Sequence, residues 1–239
     1  MIQLLLRPCL PVWLVLMASG LAHAGIVTTV PTDLSPGDQY RLVFITRGAR
    51  DAQAPSIDDY NAFVTTQANY SNELAALGLA WKVIGSTYAV DARENTSTIP
   101  GTDGAGIPIY RLDGTRIADS YADLWDGSID SPLNVDQYGN VYGHDWWSQA
   151  SVWTGTDQYG YRMYGLGCYG AAARIGGSYY TDYNWIAWCN TYQDESHPFY
   201  AISSDLEIQD ATVPEPGSLA VWIVMAMVAN VGWKLRRKR

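Results

Sequence analysis

The sequence predicts an α+β fold, and three observations carry that expectation. A β-rich run over Tyr40–Thr46 is bounded by Pro36-Gly37 on one side and Gly48 on the other. An apolar pattern at helical spacing begins just after Ser56. Beyond Val90 the chain turns to Gly, Pro, Asn and Asp, with short β-compatible segments and few helical signals.

The elements follow in order. Tyr40-Arg-Leu-Val-Phe-Ile-Thr46 reads as a strand, since aromatic and β-branched residues suit a pleated, half-buried surface. Ser56-Ile-Asp-Asp59 has the form of a capping box with Asp in place of Glu, and Asp58 and Asp59 suit the positive end of a helix dipole. Ile57, Tyr60, Phe63, Val64 and Ala68 then recur on one helical face. A second short helix covers Asn72 to Leu79 with Gly78 near its end, and Trp81-Lys-Val-Ile84 forms another strand. Ile107–Arg111 and Thr115–Ile117 flank Asp113-Gly114, a strong two-residue hairpin signal. The tetrapeptide DQYG occurs at Asp136–Gly139 and again at Asp157–Gly160, each copy reading as a turn with glycine at positive φ. Phe199–Ile202 closes the domain as a last strand.

Both ends of the chain read as targeting segments. Residues 1–24 carry one basic residue, Arg7, then an apolar run from Cys9 to Met17, and close on Ala22-His-Ala24. That is a signal peptide, with signal peptidase cutting before Gly25. The run is too short for a hydrocarbon layer of about 30 Å. Arg7 and Pro8 stand where a lipoprotein signal needs small residues, so Cys9 is not read as a lipid anchor. The other end reads Val213-Pro-Glu-Pro-Gly-Ser218, then an apolar stretch from Leu219 to Trp233, then Lys-Leu-Arg-Arg-Lys-Arg. The basic terminus favours a cytoplasmic end for a single transmembrane helix. The order Pro214-Glu215-Pro216, apolar helix, basic tail resembles the PEP-CTERM sorting signal of Gram-negative bacteria. That resemblance implies processing by exosortase, a membrane-embedded sorting enzyme, near the Pro-Glu-Pro motif. The competing reading is a plain tail anchor, which has no need of Pro214, Glu215 and Pro216 outside the membrane. The expected organisation is a signal peptide at 1–24, an exported domain at 25–211 and a sorting signal at 212–239. The protein is then expected in the inner membrane before processing, and at the cell surface or outside the cell afterwards.

Charge narrows the partners. With Arg7 and five basic tail residues set aside, nine of the 15 basic residues remain, against 23 of the 24 acidic ones. The domain's formal charge is therefore about −14, which argues against nucleic acid, heparin-like polyanions and anionic lipid. Cys168 and Cys189 remain after signal removal. In an oxidising compartment the default is one disulfide closing a loop of about 20 residues, contributing about 3 kcal/mol in the chain-entropy model. No C-x-x-C pair supports a zinc site.

Leu124-Trp-Asp-Gly127, Trp153-Thr-Gly-Thr156, Asp113-Gly114 and the pair Cys168/Cys189 carry a second resemblance, which covers most of residues 40–208. The domain is similar to the endostatin-type domain of collagens and to bacterial domains of the C-type lectin-like superfamily. This implies a single loop-rich domain of short antiparallel strands with two helices. The chain departs from those families in lacking a second disulfide and a basic surface. It also lacks the Glu-Pro-Asn, Gln-Pro-Asp and Trp-Asn-Asp calcium-ligand patterns of sugar-binding lectins.

Little in the sequence supports catalysis. The bases on offer are His144, beside Asp145, together with His197 and Lys82. His144 reads as a loop residue and His197-Pro198 as part of a turn. Asp58 and Asp59 belong to a helix start, while Glu94, Glu195 and Glu207 read as solvated. Asp119, Asp123, Asp126 and Asp130 offer oxygen ligands of the kind calcium takes, but at spacings unlike an EF-hand. No cofactor is expected, with calcium as the open alternative. The tryptophans are more informative. Trp153 and Trp185 are expected in the core, beside Val152 and Ile186. Trp146, Trp147 and Trp188 are the candidate ligand-binding surface, because flat rings with a polar edge stack well on sugars. The expected role is non-catalytic: an exported surface or matrix protein that binds or presents, with exopolysaccharide or another glycan as ligand. The alternative is a secreted glycan hydrolase using two acidic loop residues, which needs two facing carboxyls about 5–10 Å apart in an aromatic cleft.

Overall fold

The first strand, β1 (Gln39–Ile45), organises the molecule because it is apolar on both sides. Leu42 and Phe44 point into one core, Val43 and Ile45 into another, and all four are fully buried. Such a strand must lie inside a sheet, and it does. In this computed structural model, which describes residues 25–104, 106–142 and 151–209, the main sheet has the order β2-β8-β1-β3-β4, with β9 pairing the start of β1. The members are β2 (Trp81–Val83), β3 (Ile109–Arg111), β4 (Arg116–Ala118), β8 (Tyr200–Ser203) and β9 (Leu206–Glu207). A second sheet runs β5-β6-β7, from Ser151–Trp153, Ala172–Gly177 and Cys189–Tyr192. The architecture is α+β, with more strand than helix.

Helix α1 (Ile57–Ala68) starts where its sequence says it should. Ser56 is the N-cap, its hydroxyl accepting from the Asp58 N–H at 3.2 Å, with Asp58 and Asp59 in the first turn. Tyr60, Val64 and Ala68 pack on the Leu42/Phe44 face of the sheet beside Trp81, Val83 and Phe199. The opposite face packs on Ile109, Ile117, Leu124, Trp125, Trp185 and Ile202. Trp153 and Trp185 are both fully buried, as the sequence predicts.

The outer edge of β2 is covered by side chains. Asn61 of α1 accepts from the Val83 N–H at 2.9 Å and exchanges two hydrogen bonds with Asn95, at 2.9 and 3.0 Å. Asn95 in turn donates to the Val83 carbonyl at 2.8 Å, and Thr65 donates to the Trp81 carbonyl at 3.2 Å. An edge strand otherwise exposes a row of unpaired backbone groups, so this clasp both satisfies and closes it.

Three sequence expectations need correction. The strands are not all antiparallel: β1 and β3 run parallel, with Arg41 opposite Ile109. The long connection between them, containing α1, makes the crossover that parallel neighbours require. The helices number more than two. α2 (Asn72–Ala76) was expected, but one-turn helices α3 (Ala92–Asn95), α4 (Tyr121–Leu124) and α5 (Asn184–Ala187) are too short to leave a helical period in sequence. The stretch between the cysteines, expected to be a loop closed by a disulfide, contains β6 and α5.

The hairpin at Asp113-Gly114 and both DQYG turns form as read. Gly139 and Gly160 have φ of 75° and 82°. In each turn the aspartate folds back to accept two backbone N–H groups, Asp136 from Tyr138 and Asn140, Asp157 from Tyr159 and Tyr161. Among the described residues no helix is long and apolar enough to cross a membrane. The expected signal peptide, the sorting motif Pro214, Glu215 and Pro216, and the apolar stretch after it lie outside the described residues. So do Trp146, Trp147 and His144.

Candidate functional site

The site grows out of the second DQYG turn. After β5 the chain reverses at Asp157–Gly160, and an isolated bridge joins Thr156 to Arg162. Tyr164 then takes a φ of 52°, a left-handed conformation uncommon for a bulky side chain. From there the segment is pinned to the body of the domain. Leu166 is fully buried and its N–H meets the Ser86 carbonyl at 2.9 Å, while the Gly167 N–H meets the Ala52 carbonyl at 2.7 Å. A Cβ on Gly167 would stand 2.0 Å from the Ala54 carbonyl oxygen, so only glycine allows that approach. The Arg174 N–H closes the loop on the Tyr164 carbonyl at 2.9 Å.

With its backbone anchored inward, this loop turns its rings outward. Tyr159, Tyr161, Tyr164 and Tyr169 are all exposed, Tyr169 completely, and Tyr88 joins them from the segment after β2. Between them lies a groove of about 420 Å³, lined by Tyr88, Arg162, Tyr164, Cys168, Tyr169 and Ala172. The rings of Tyr88 and Tyr169 meet edge to face with centroids 6.5 Å apart. The Arg162 guanidinium lies 4.5 Å from the Tyr88 ring centre, and its Nη1 donates to the Tyr88 carbonyl. Rings held by cation–π contacts and backbone anchoring are preorganised stacking surfaces.

A second cleft of about 360 Å³ continues from this groove across Gly170 and Ala171 to Tyr192, Gln193 and Asp194. A third, of about 480 Å³, lies across the sheet end at Arg41, Lys82, Asn95, Ser97, Ser203 and Asp205. The first cleft has no carboxylate in its lining, the second has Asp194, and the third has Asp205, which is bound to Arg41 Nε at 2.5 Å. None of these three clefts provides the two facing carboxyls that glycoside hydrolysis needs.

The residues singled out in the sequence are dispersed. Trp188 is 38% exposed and packs against Tyr180, ring centres 5.8 Å apart, at the Ile175–Gly177 end of β6 and away from the tyrosine groove. His197 is structural: it exchanges backbone bonds with Arg50, stacks edge-on to Trp153 at 4.9 Å and pairs with Glu195 at 3.1 Å. Glu195 is held below its ordinary carboxylate pKa first by the Thr191 hydroxyl and then by His197. The aspartates read as oxygen ligands are engaged locally. Asp119 pairs with Arg116, Asp123 accepts from the Asp119 N–H, and Asp126 accepts from Ser128. Asp130 is pushed upward by burial and then by Asp123 and Asp119. Among the described residues no three His, Cys, Asp or Glu side chains converge as a metal site.

The expected Cys168–Cys189 disulfide does not form in this structure, where both are free thiols. Cys189 opens β7 opposite Ile175, whereas the Cys168 carbonyl is bound by the side chain of Gln193, beyond the other end of that strand. Burial raises the Cys168 thiol pKa, with Arg162 pulling it down in part, and burial does the same to Cys189 against Arg174.

Sequence reasoning missed Tyr88, Arg162, Tyr164 and Tyr169 as a group. The signal was present in Tyr159-Gly-Tyr-Arg-Met-Tyr164, a run of rings directly after a turn, but nothing local says that Tyr88 comes to meet it. In comparison with known proteins, the chain matches no family model and no curated protein.

Proposed function

We propose that this chain is an exported, non-catalytic glycan-binding protein, sorted by exosortase through its Pro214-Glu215-Pro216 tail and carrying a C-type lectin-like domain. The observation that carries the binding role is the tyrosine groove: three exposed rings on an anchored backbone, in a cleft whose lining has no carboxylate. Stacking of sugar faces on such rings needs no charge and no reacting group. The lectin-like reading is supported by the mixed, strand-rich architecture. It is also supported by the structural use of the residues that carry the resemblance, with Leu124, Trp125 and Trp153 buried and Asp113-Gly114 at the β3–β4 turn. Because a second cleft continues from the groove across Gly170 and Ala171, the proposed ligand is an exopolysaccharide segment rather than a single sugar.

A glycan array probed with the purified protein and with Tyr88→Ala/Tyr169→Ala tests this. Binding by the first and loss of about tenfold or more in the second is expected, since ring stacking contributes about 0.5–1.5 kcal/mol per pair. Hydrolysis products, or binding that survives both changes, would favour the hydrolase or another surface. The sorting half is tested in the native host. Glu215→Ala should be translocated and folded yet remain membrane-held, and release equal to the wild type would remove the exosortase reading.

A further inference from the structure

Eight arginines and Lys82 are the basic residues of the exported domain, which carries 23 acidic ones. Among the described residues, five of those arginines are ion-paired: Arg41 with Asp205, Arg47 with Asp136, Arg50 with Asp51, Arg111 with Asp113, and Arg116 with Asp33 and Asp119. The three left without a carboxylate partner there are Arg93, Arg162 and Arg174, and each lies against a tyrosine of the groove or of the turn that leads into it. Arg162 lines it, Arg174 lies 5.4 Å from the centre of the Tyr164 ring, and Arg93 lies 3.5 Å from that of Tyr161.

Their hydrogen-bonding capacity is largely unfilled. A guanidinium has five N–H donors and no acceptor. Arg174 directs Nη2 at the Met163 sulfur at 3.0 Å, a weak acceptor, and its buried Nε has no partner among the described residues. Arg162 uses Nη1 on the Tyr88 carbonyl. The nearby carboxylates are turned to backbone groups: Asp91 accepts the Arg162 N–H at 2.8 Å, and Asp157 accepts from Tyr159 and Tyr161. Asp194 faces the adjoining cleft. In a domain so rich in acid, cations that find no internal anion at one site provide for an external one.

We propose that the groove selects an acidic glycan, a uronate polymer whose carboxylate is received by Arg162 and Arg174 while its sugar faces stack on Tyr88, Tyr164 and Tyr169. This rests on the carbohydrate-binding reading and narrows it to a ligand class. The net charge of the domain opposes polyanions at long range, but it is screened beyond about 8 Å at physiological salt. Among the described residues Arg162 is the one charged residue in the groove lining, with Arg174 against the Tyr164 ring beside it, and Arg matches a carboxylate with two parallel bonds. A short bound stretch of uronate therefore suits this site where a basic-patch ligand would not.

The experiment compares binding of galacturonate, alginate and hyaluronate oligomers with that of their carboxyl-reduced counterparts, using the full chain purified in detergent. At least one acidic oligomer is expected to bind about tenfold more tightly than its reduced form, with the difference shrinking as salt rises. Arg162→Gln should narrow that difference, whereas Arg47→Gln, at a salt bridge to Asp136 outside the groove lining, should leave it intact. Melting temperature checks that each variant folds, and Arg174→Gln should repeat the narrowing if Arg162→Gln does not fold. Equal binding of acidic and reduced forms overturns this inference while leaving the glycan-binding reading in place. Failure of every oligomer, acidic and reduced, overturns both.

Discussion

Replacing Asn61 by Leu should destabilise the protein by about 2 kcal/mol without altering its fold. The side chain is nearly buried and makes three hydrogen bonds: one from the Val83 N–H and two with Asn95. At about 1 kcal/mol net for each, the loss is about 3 kcal/mol, and the buried Val83 N–H is the group left without an acceptor. Asn95 is half-buried, keeps its bond to the Val83 carbonyl and can turn its remaining groups to water. Leu returns about 1 kcal/mol through apolar burial in a site of similar volume. For a domain of this size the melting temperature should fall by about 4–8 °C. Urea titration should show a lower midpoint with an unchanged slope, since the surface exposed on unfolding is the same. Asn95→Ala should be non-additive with it, because the two side chains share one network. A change below about 0.5 kcal/mol, or simple additivity, would show that the clasp is not what holds the β2 edge.

Two further outcomes follow from the chemistry of single groups. Asp113 is opposed by burial but held below its ordinary pKa by Arg111, which grips both oxygens at 2.9 and 2.5 Å. A depressed carboxylate contributes stability that is present above its unfolded pKa of about 4 and lost as pH falls through the folded value. Asp113→Asn should therefore cost about 1 kcal/mol at neutral pH, after allowance for solvent screening, and flatten the acid limb of a stability-versus-pH curve below about pH 4. An acid limb identical to the wild type would show that other carboxylates set it. The cysteines should behave as thiols: alkylation of the folded protein should label Cys189 first, as the more exposed, and then Cys168. Intact mass should not change on reduction. A gain of two hydrogens on reduction would restore the bridge expected from the sequence.

The parts of this fold that were legible before the structure are those whose causes are local. β1 could be read because a strand buried on both faces must be apolar throughout. α1 could be read because its cap, first-turn acids and buried face sit within 13 residues, Ser56 to Ala68. The DQYG turns could be read because Asp and Gly each supply half of the turn chemistry. The parallel pairing of β1 with β3 had no local cause, and neither did the second sheet. β6 is Ala-Ala-Arg-Ile-Gly-Gly, a sequence with little strand propensity that is ordered by pairing on both sides. The site was half legible for the same reason. The density of rings was visible, but which of them reach solvent depends on Leu166 and Gly167 tying their loop to Ser86 and Ala52. Trp188 drew attention as the larger ring, yet the anchored loop gathers tyrosines and arginines elsewhere.

The position of β8 bears on when this protein can fold. It lies between β2 and β1, so both strands have an open side until the last part of the domain arrives. Val43 pairs with Ile202, about 160 residues later in a chain made from the amino end, and Gln39 waits as long for Glu207. A nascent chain therefore has no complete sheet to collapse into. The sheet closes only when the final strands emerge. Such an order of assembly is compatible with the export proposed above, because the step that commits the chain to its folded shape is also the last to become available.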